Sequence, residues 1–162
     1  MNIIKFIKQK IQKKSFDSKI QNVLDNVYDK ESGGDLIHNN GKICRDGGDL
    51  FKLEHDTTDG IYLRRMILNK STAIVSGVHK RDHVWFLLHG SISVSSAEGV
   101  EHFDAPWVGF SKAGTQRAIY ANEYSIFQNV FKNPNNLKTL DDLEDYNYCA
   151  TQEEYKKYKK NK

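Results

Sequence analysis

The sequence predicts a mainly β protein, a single small barrel or sandwich with helical extensions at both ends. Three observations support this prediction. Between Gly60 and Phe131 the chain contains eight short runs rich in Val, Ile, Phe, Tyr and Trp. No segment of helical length interrupts these runs, which argues against a parallel sheet built from βαβ units. Before the runs, apolar residues recur at helical spacing, and after them two threonines provide helix starts.

The predicted strands follow one another closely. Turn-forming residues separate them, for example at residues 69–71, 89–90 and 113–114. Eight strands within about 70 residues are typical of an antiparallel barrel or sandwich. In chain order, the runs are IYLRRMIL, TAIVSGV, HVWFLLH, SISVSS, GVEHFDA, WVGFS, RAIYA and YSIFQNV.

Composition and charge exclude several classes of protein. The chain has 162 residues and a formal net charge of +3. Residues 1–30 hold 7 Lys and 3 Asp, a net of +4, so the rest of the chain has a net charge of −1. A nearly neutral domain argues against specific nucleic-acid binding. No run of about 18 apolar residues occurs, so the sequence predicts no transmembrane helix.

The shifts in charge and pattern divide the chain into four parts. They are a basic amphipathic helical extension (1–30), a loop rich in Gly and Asn (31–50), a β-barrel (51–133) and a charged helical tail (134–162). In the tail, Thr139 and Thr151 are the expected N-cap residues, because each is followed three residues later by an acid.

The N-terminal extension has an apolar side and a lysine-rich side. A helix of about a dozen residues is marginal alone and needs a surface to lie on. The favoured surface is protein, either this chain's own barrel, a second copy in a homo-oligomer, or a groove on an assembly partner. Contact of residues 1–14 with an anionic membrane surface is a less favoured alternative. The apolar side is formed by Ile3, Phe6, Ile7 and Ile11.

The two cysteines, Cys44 and Cys149, lie far apart and neither belongs to a C-x-x-C motif. They therefore predict neither a disulfide framework nor a thiolate zinc site. The first residues lack the long apolar core and cleavage site of a signal peptide. Together these features favour a cytoplasmic location.

Four stretches of the barrel region resemble the cupin superfamily: GVHKRDH (77–83), VWFLLHGSISV (84–94), the pair Ala105-Pro106, and SKAGTQR (111–117). More narrowly, they are similar to small cupin-like proteins encoded by tailed bacteriophages. The resemblance implies a double-stranded β-helix, or jelly roll. The bacteriophage similarity implies a virion or accessory protein in the host cytoplasm or in the particle.

Cupin metal sites usually combine three histidines and one glutamate that project into the barrel. By this resemblance, His79 takes a histidine position and His83 lies where the acid is expected. Arg81 and Arg117 stand at the other two ligand positions. The resemblance therefore implies at most a divalent metal (Fe, Mn, Ni or Zn) held by His79 and His83.

Positions 79, 81 and 83 share parity, so on an extended strand all three side chains point to one face. The two histidines would then lie about 13 Å apart, too far to bind one ion unless the chain bends between them. Arginine also repels cations. Three roles stay open for the histidines: metal ligands, hydrogen-bonded structural groups, or contacts to an organic ligand.

Arg81 and Arg117 support a second hypothesis. If both face inward, they make a positive cavity suited to a carboxylate or phosphate. Alternatively, each pairs with a nearby acid. Trp85 and Tyr120 are candidates for lining the same pocket, although aromatic strand residues are commonly core residues.

Two functions are compatible with these residues. The favoured one is a non-catalytic cupin-fold binding or structural module that self-associates and serves as a phage virion or accessory component. The alternative is a metal-dependent cupin enzyme, of isomerase or oxygenase type, that uses His79 and His83. The first is favoured because two expected ligand positions carry arginine and the motif contains no acid–base pair.

Overall fold

The computed structural model describes residues 12–19, 36–39, 42–44 and 51–162, and in the ranges 36–39 and 42–44 it describes the backbone alone. Residues 12–19 form helix α1. The strands before the barrel motifs are β1 (Leu36–Asn39), β2 (Lys42–Cys44), β3 (Phe51–Thr58), β4 (Ile61–Leu68), β5 (Ala73–Val75) and β6 (Val78–His79). The following strands are β7 (His83–His89), β8 (Ser91–Ser96), β9 (Gly99–Asp104), β10 (Trp107–Ser111), β11 (Ala118–Ala121) and β12 (Ser125–Lys132). The C-terminal segment contains α2 (Leu140–Asn147), β13 (Tyr148–Cys149) and α3 (Gln152–Lys160).

Two antiparallel sheets form the barrel. One has the strand order β2-β1-β5-β11-β8-β9, and the other has the order β10-β7-β12-β4-β3. A short third sheet pairs β6 with β13. Apolar side chains from both large sheets meet in one core cluster, which includes Leu68, Ile74, Leu87, Ile92 and Phe127. The mainly β jelly-roll fold that the sequence predicts is therefore confirmed.

The strand boundaries agree closely with the sequence pattern. Four predicted runs coincide with β4, β7, β8 and β10. The predicted run at residues 72–78 is instead divided. Its first part pairs in the larger sheet as β5, and its end pairs with β13 as β6. The division falls at residues 76–77: the Ser76 N–H still donates to the carbonyl of Arg117 in the register of β5 and β11, and the pairing with β13 begins at Val78.

Two differences lie before residue 60. The strand β3 was not among the predicted runs, because its sequence FKLEHDTT contains few apolar residues. It is an edge strand that pairs only with β4 in its sheet, so its outward side chains face solvent. The stretch expected to be a loop, residues 31–50, contains β1 and β2, so that expectation is wrong for residues 36–39 and 42–44.

The C-terminal segment is part of the barrel. Thr139 and Thr151 are the N-caps of α2 and α3, as predicted, and each hydroxyl accepts a hydrogen bond from a backbone N–H three residues later. Leu143 on α2 is fully buried against Tyr62 and Phe131. This packing closes one end of the barrel with residues that the sequence analysis placed in a separate tail.

The predicted N-terminal helix is described only in part. Residues 12–19 are helical, while the other residues of the predicted extension, including Ile3, Phe6, Ile7 and Ile11, lie outside the described residues. In the part of the chain that the structure describes, no helix is long and apolar enough to span a bilayer.

Candidate functional site

The interior of the β10-β7-β12-β4 sheet changes from apolar to polar along the barrel axis. Strand register sets this change, because residues paired across neighbouring strands point to the same face. The apolar row contains Met66, Phe127 and Leu87. The next row contains Arg64, Asn129, Trp85 and Gly109. The last row, below α2, contains Tyr62, Phe131, His83 and Ser111. Every residue of the second and third rows is buried.

Gly109 makes room for the indole of Trp85. A Cβ atom at position 109 would lie 2.1 Å from Trp85 Cε2, which is far inside van der Waals contact. The indole instead stacks on Phe127, with ring centroids 5.3 Å apart. Its Nε1 has no hydrogen-bond partner among the described residues. A hydrogen-bond donor is thus held within the polar half of the barrel.

His79 and His83 come together at the polar end. The extended-strand expectation of a separation near 13 Å is wrong, because residues 80–82 form a bend between β6 and β7. The two imidazole centroids lie 4.1 Å apart. His83 also packs on Phe131 at 4.6 Å, and His79 packs on Tyr148 at 4.9 Å. The bend therefore brings two ligand candidates into direct contact.

Burial keeps both imidazoles neutral near pH 7. It lowers the pKa of His83 from 6.5 to about 4. Burial also lowers the pKa of His79 well below its ordinary value, and the adjacent His83 imidazole and the positive charges of Arg117 and Arg64 disfavour its protonation further. Neither His79 Nδ1 nor His83 Nε2 has a hydrogen-bond partner among the described residues.

Two guanidinium groups reach the same region from opposite sheets. Arg64, on β4, is 3% exposed, and its Nη2 lies 3.4 Å from Glu144 Oε1 on α2. Arg117, just before β11, is half-buried, and its Nη1 donates to Ser111 Oγ at 2.6 Å. Desolvation lowers the pKa of Arg117 from its ordinary value, but an arginine remains protonated at neutral pH. No carboxylate of the described residues lies within 4.0 Å of Arg117.

A small cavity of about 20 Å³ lies between these groups. That volume is close to the space needed by one water molecule or one small ionic group. Its polar lining comes from Arg64, Arg117, His79, Asn129 and Ser76, and apolar side chains and Tyr148 complete it. The cavity is therefore a small polar space in the interior of the barrel.

Arg81 lies outside this cavity. The bend that joins the histidines turns its side chain away from the barrel. Its guanidinium carbon lies 3.7 Å from the ring centroid of Tyr146 on α2, and its Nη1 lies 3.4 Å from the hydroxyl of Tyr158 on α3. The hypothesis that Arg81 and Arg117 both face the barrel interior does not hold for Arg81, which contacts the C-terminal helices through cation–π and hydrogen-bond contacts.

Trp85 and Tyr120, the other two residues predicted to line the pocket, lie in different environments. Trp85 is buried, and the guanidinium of Arg117 lies 5.9 Å from its ring. Tyr120 is 44% exposed, because its neighbours Ile119 and Ala121 take the inward positions of β11. Of the two, only Trp85 is buried next to Arg117, and neither lines the cavity.

Sequence reasoning missed Arg64, Asn129 and Tyr148. A signal for Arg64 was present, since it shares parity with Tyr62 and Met66 on a strand whose pattern alternates. Asn129 carries no such signal, because Gln128 and Asn129 are adjacent polar residues on β12 that point to opposite faces of the sheet. Tyr148 could not be found, because only the tertiary pairing of β13 with β6 brings it to the barrel.

The side chains fit a divalent metal poorly. In the described ranges, no group of three or more His, Cys, Asp and Glu residues could hold a metal ion. His79 and His83 would supply two neutral nitrogens, and no acid lines the cavity with them. Two permanent cations, Arg64 and Arg117, would stand beside the ion in a region of low dielectric. The metal that the cupin resemblance implies is therefore at odds with this donor set.

Comparisons with known proteins give similarity only at the level of solved structures. No family model and no curated protein matches the chain. It is similar to a cupin superfamily protein from Desulfitobacterium hafniense, at 9% identity over 52% of this chain and 78% of that one, with a TM-score of 0.47. For KdgF from Halomonas sp., the identity is 11% over 58% and 85%, with a TM-score of 0.47. For the polyketide cyclase RemF from Streptomyces resistomycificus, it is 15% over 53% and 67%, with a TM-score of 0.46. By its own sheet topology, the chain is a cupin-like jelly-roll barrel with helices at its ends.

Proposed function

We propose that the protein is a non-catalytic binding module whose barrel interior takes a small anion. The observation that carries this proposal is the charge of the cavity. Two guanidinium groups, Arg64 and Arg117, converge on one polar space that no aspartate or glutamate of the described chain lines. Partial burial of the Arg117 charge costs free energy, and an anion in the cavity would compensate that charge.

The other polar atoms around the site support an anion as well. Arg117 and Asn129 offer N–H groups to the cavity. Trp85 Nε1, which is buried next to them, is a donor and never an acceptor. A site rich in donors and positive charge matches a ligand that only accepts hydrogen bonds.

The geometry offers little to an enzyme mechanism. His79 and His83 contact each other, and no Asp or Glu of the described residues lines the cavity. General acid–base catalysis needs such a partner or a reachable substrate proton. Both rings also lie under Tyr148 and Phe131. A binding role therefore accounts for more of the site than a catalytic one.

Anion binding and metal binding are separable by experiment. Protein purified without a tag is analysed for metals, and its thermal midpoint is measured with increasing sodium acetate, chloride and phosphate. We expect at least one of these anions to raise the midpoint, and Arg117→Met to abolish the rise. The matched control is Arg65→Met, because Arg65 lies on the outer face of the same sheet and pairs with Glu54.

The alternative, a metal-dependent isomerase or oxygenase, predicts a different result. If the purified protein contains near-stoichiometric Fe, Mn, Ni or Zn, and the His79→Ala, His83→Ala double variant lacks it, the result would support the metal-dependent enzyme and contradict the anion proposal. Absence of any stabilisation by the three anions would also contradict it.

We also propose self-association through the outer face of β7 and β10. Along this face Val84 is paired with Phe110, and Phe86 with Val108, and all four side chains are apolar. Phe110 is 74% exposed. A second copy is the occupant we favour, because an uncharged apolar patch is complementary to itself across a two-fold axis.

Light scattering coupled to size exclusion tests this interface. We expect a dimer that Phe110→Ser converts to a monomer, while Val100→Ser, a change at an exposed valine of β9, leaves it intact. A wild-type monomer, or equal effects of both changes, would contradict the interface. A virion or accessory role in a bacteriophage and a cytoplasmic location stay predictions that rest on the sequence alone.

A further inference from the structure

We propose that a groove between α1 and α3 binds a phosphate monoester that carries a planar aromatic group, such as a nucleoside monophosphate. This groove is separate from the barrel cavity of the proposed function, and the two share no lining residue. Its volume is about 430 Å³. Pockets of this size commonly hold small organic ligands.

Four segments of the chain form the walls of the groove. They are α1 with residues 13, 16 and 17, the turn at 96–98, the loop at 113–116, and α3 with residues 152, 155, 156 and 159. In both helices these residues recur at three- and four-residue spacing, so each helix turns one face to the groove. No residue of α3 is buried, so this face borders the groove rather than a packed core.

Two lysines of α3 carry the charge that attracts the ligand. Lys156 and Lys159 are three residues apart, so they are neighbours on the helix surface. Among the described residues neither forms an ion pair, whereas Lys157, which lies outside the groove, pairs with Glu153 at 3.1 Å. A phosphate monoester carries nearly two negative charges at neutral pH and so matches two ammonium groups, while a carboxylate carries one.

The two acids that line the groove have partners within the chain. Asp17 Oδ1 lies 3.6 Å from Lys13 Nζ, one helical turn earlier on α1. Glu98 accepts a hydrogen bond from Ser96 Oγ at 2.8 Å, and its charge also interacts favourably with Arg117. The excess positive charge of the groove therefore lies on the α3 wall.

Aromatic surface lies in the same groove. Phe16 on α1 and Tyr155 on α3 are half-buried, and both line it. Tyr155 packs on the loop at Gly114, where a Cβ atom would lie 2.8 Å from its Cε1. Burial raises the pKa of the Tyr155 hydroxyl, so this group stays protonated at neutral pH and can donate a hydrogen bond. A planar aromatic group gains contact with such rings, and stacking on aromatic side chains is favourable for every base.

Calorimetric titration of adenosine 5′-monophosphate into the full chain tests the groove. We expect binding that a Lys156→Gln, Lys159→Gln double variant weakens about five- to tenfold, because each lysine supplies one exposed charged contact. The matched control is a Lys157→Gln, Lys160→Gln double variant, which removes the same charge at the same spacing from α3 residues outside the groove and should keep the wild-type affinity. Phe16→Leu, which keeps an apolar side chain without a ring, should weaken binding about two- to fivefold.

Comparison ligands test the two halves of the proposed ligand. Adenosine and inorganic phosphate should each bind more weakly than the monophosphate. If phosphate binds as tightly, the aromatic surface takes no part and the proposed ligand class is wrong. If adenosine binds as tightly, the lysines take no part and the class is equally wrong.

The variants also separate the groove from the barrel site. Arg117→Met removes the proposed anion site of the barrel and should leave the titration unchanged, so loss of binding in this variant would contradict the groove. Equal losses in the two double-lysine variants would reduce the effect to net charge and contradict it as well. If the monophosphate does not bind, the groove proposal is wrong, while stabilisation of the barrel by small anions is decided by its own assay. Thermal unfolding of each variant confirms that it is folded before its affinity is interpreted.

Discussion

The buried histidine pair makes the stability of the barrel depend on pH. The pKa of His83 falls from an ordinary value of 6.5 to about 4 in the fold, because burial disfavours the imidazolium. Below pH 6.5 the unfolded chain takes up a proton that the native chain does not. The stabilisation that His83 provides is therefore complete above pH 6.5 and is lost as the pH falls towards 4.

The expected magnitude follows from the size of the shift. A difference of about 2.5 pKa units corresponds to about 3 kcal/mol of unfolding free energy. His83 is 6% exposed, so solvent screening reduces this value little. His79 adds to the loss in the same direction, since its pKa is also lowered.

Urea denaturation between about pH 7.5 and pH 4, followed by tryptophan fluorescence, measures the effect. We expect His83→Gln to flatten the pH dependence and His102→Gln, a change at an exposed histidine, to leave it as in wild type. A wild-type curve with the slope of the His83→Gln curve, or stability that rises as the pH falls, would refute the assignment of a neutral, buried His83.

Three further substitutions test the packing. Gly109→Ala should destabilise the fold by about 1–3 kcal/mol in urea denaturation, because its Cβ would overlap the Trp85 indole; an unchanged midpoint would mean that the indole can move aside. Leu143→Ala should cost about 2–5 kcal/mol in the same assay through the buried cavity it leaves, and a loss limited to helical circular dichroism would show that α2 is not part of the core. Thr151→Ala should cost about 1 kcal/mol of thermal stability by removing the cap on the Glu154 N–H, whereas Thr151→Ser should restore it.

The barrel could be predicted from the sequence because most of its strands follow a local pattern. Alternating apolar residues, bounded by turns, defined β4, β7, β8 and β10 to the residue. The same rule failed for β3, because the chemistry of an edge strand is set by solvent rather than by a core. The hairpin formed by β1 and β2 was hidden by glycines and asparagines that resemble a loop.

Only part of the site could be predicted from the sequence, and the reason is different. Sequence parity treats residues 79–83 as one straight strand, whereas a bend joins His79 to His83 and sends Arg81 to the helices. Glu144 and Tyr148 reach the site through contacts between residues far apart in the chain. No local pattern encodes such contacts, so the cover over the cavity could not be predicted from one sequence.

The position of α2 and β13 has a consequence for the order of events during synthesis. Strand β4, which carries Arg64, leaves the ribosome about 80 residues before Glu144 does. Until residues 140–149 emerge, Tyr62, Phe131 and the two imidazoles lack the side chains that cover them. The nascent barrel therefore passes through a stage with one open, partly apolar end, and residues 140–149 complete the wall when they emerge. A ribosome-bound chain stalled before residue 140 would display that open end for capture by chaperones.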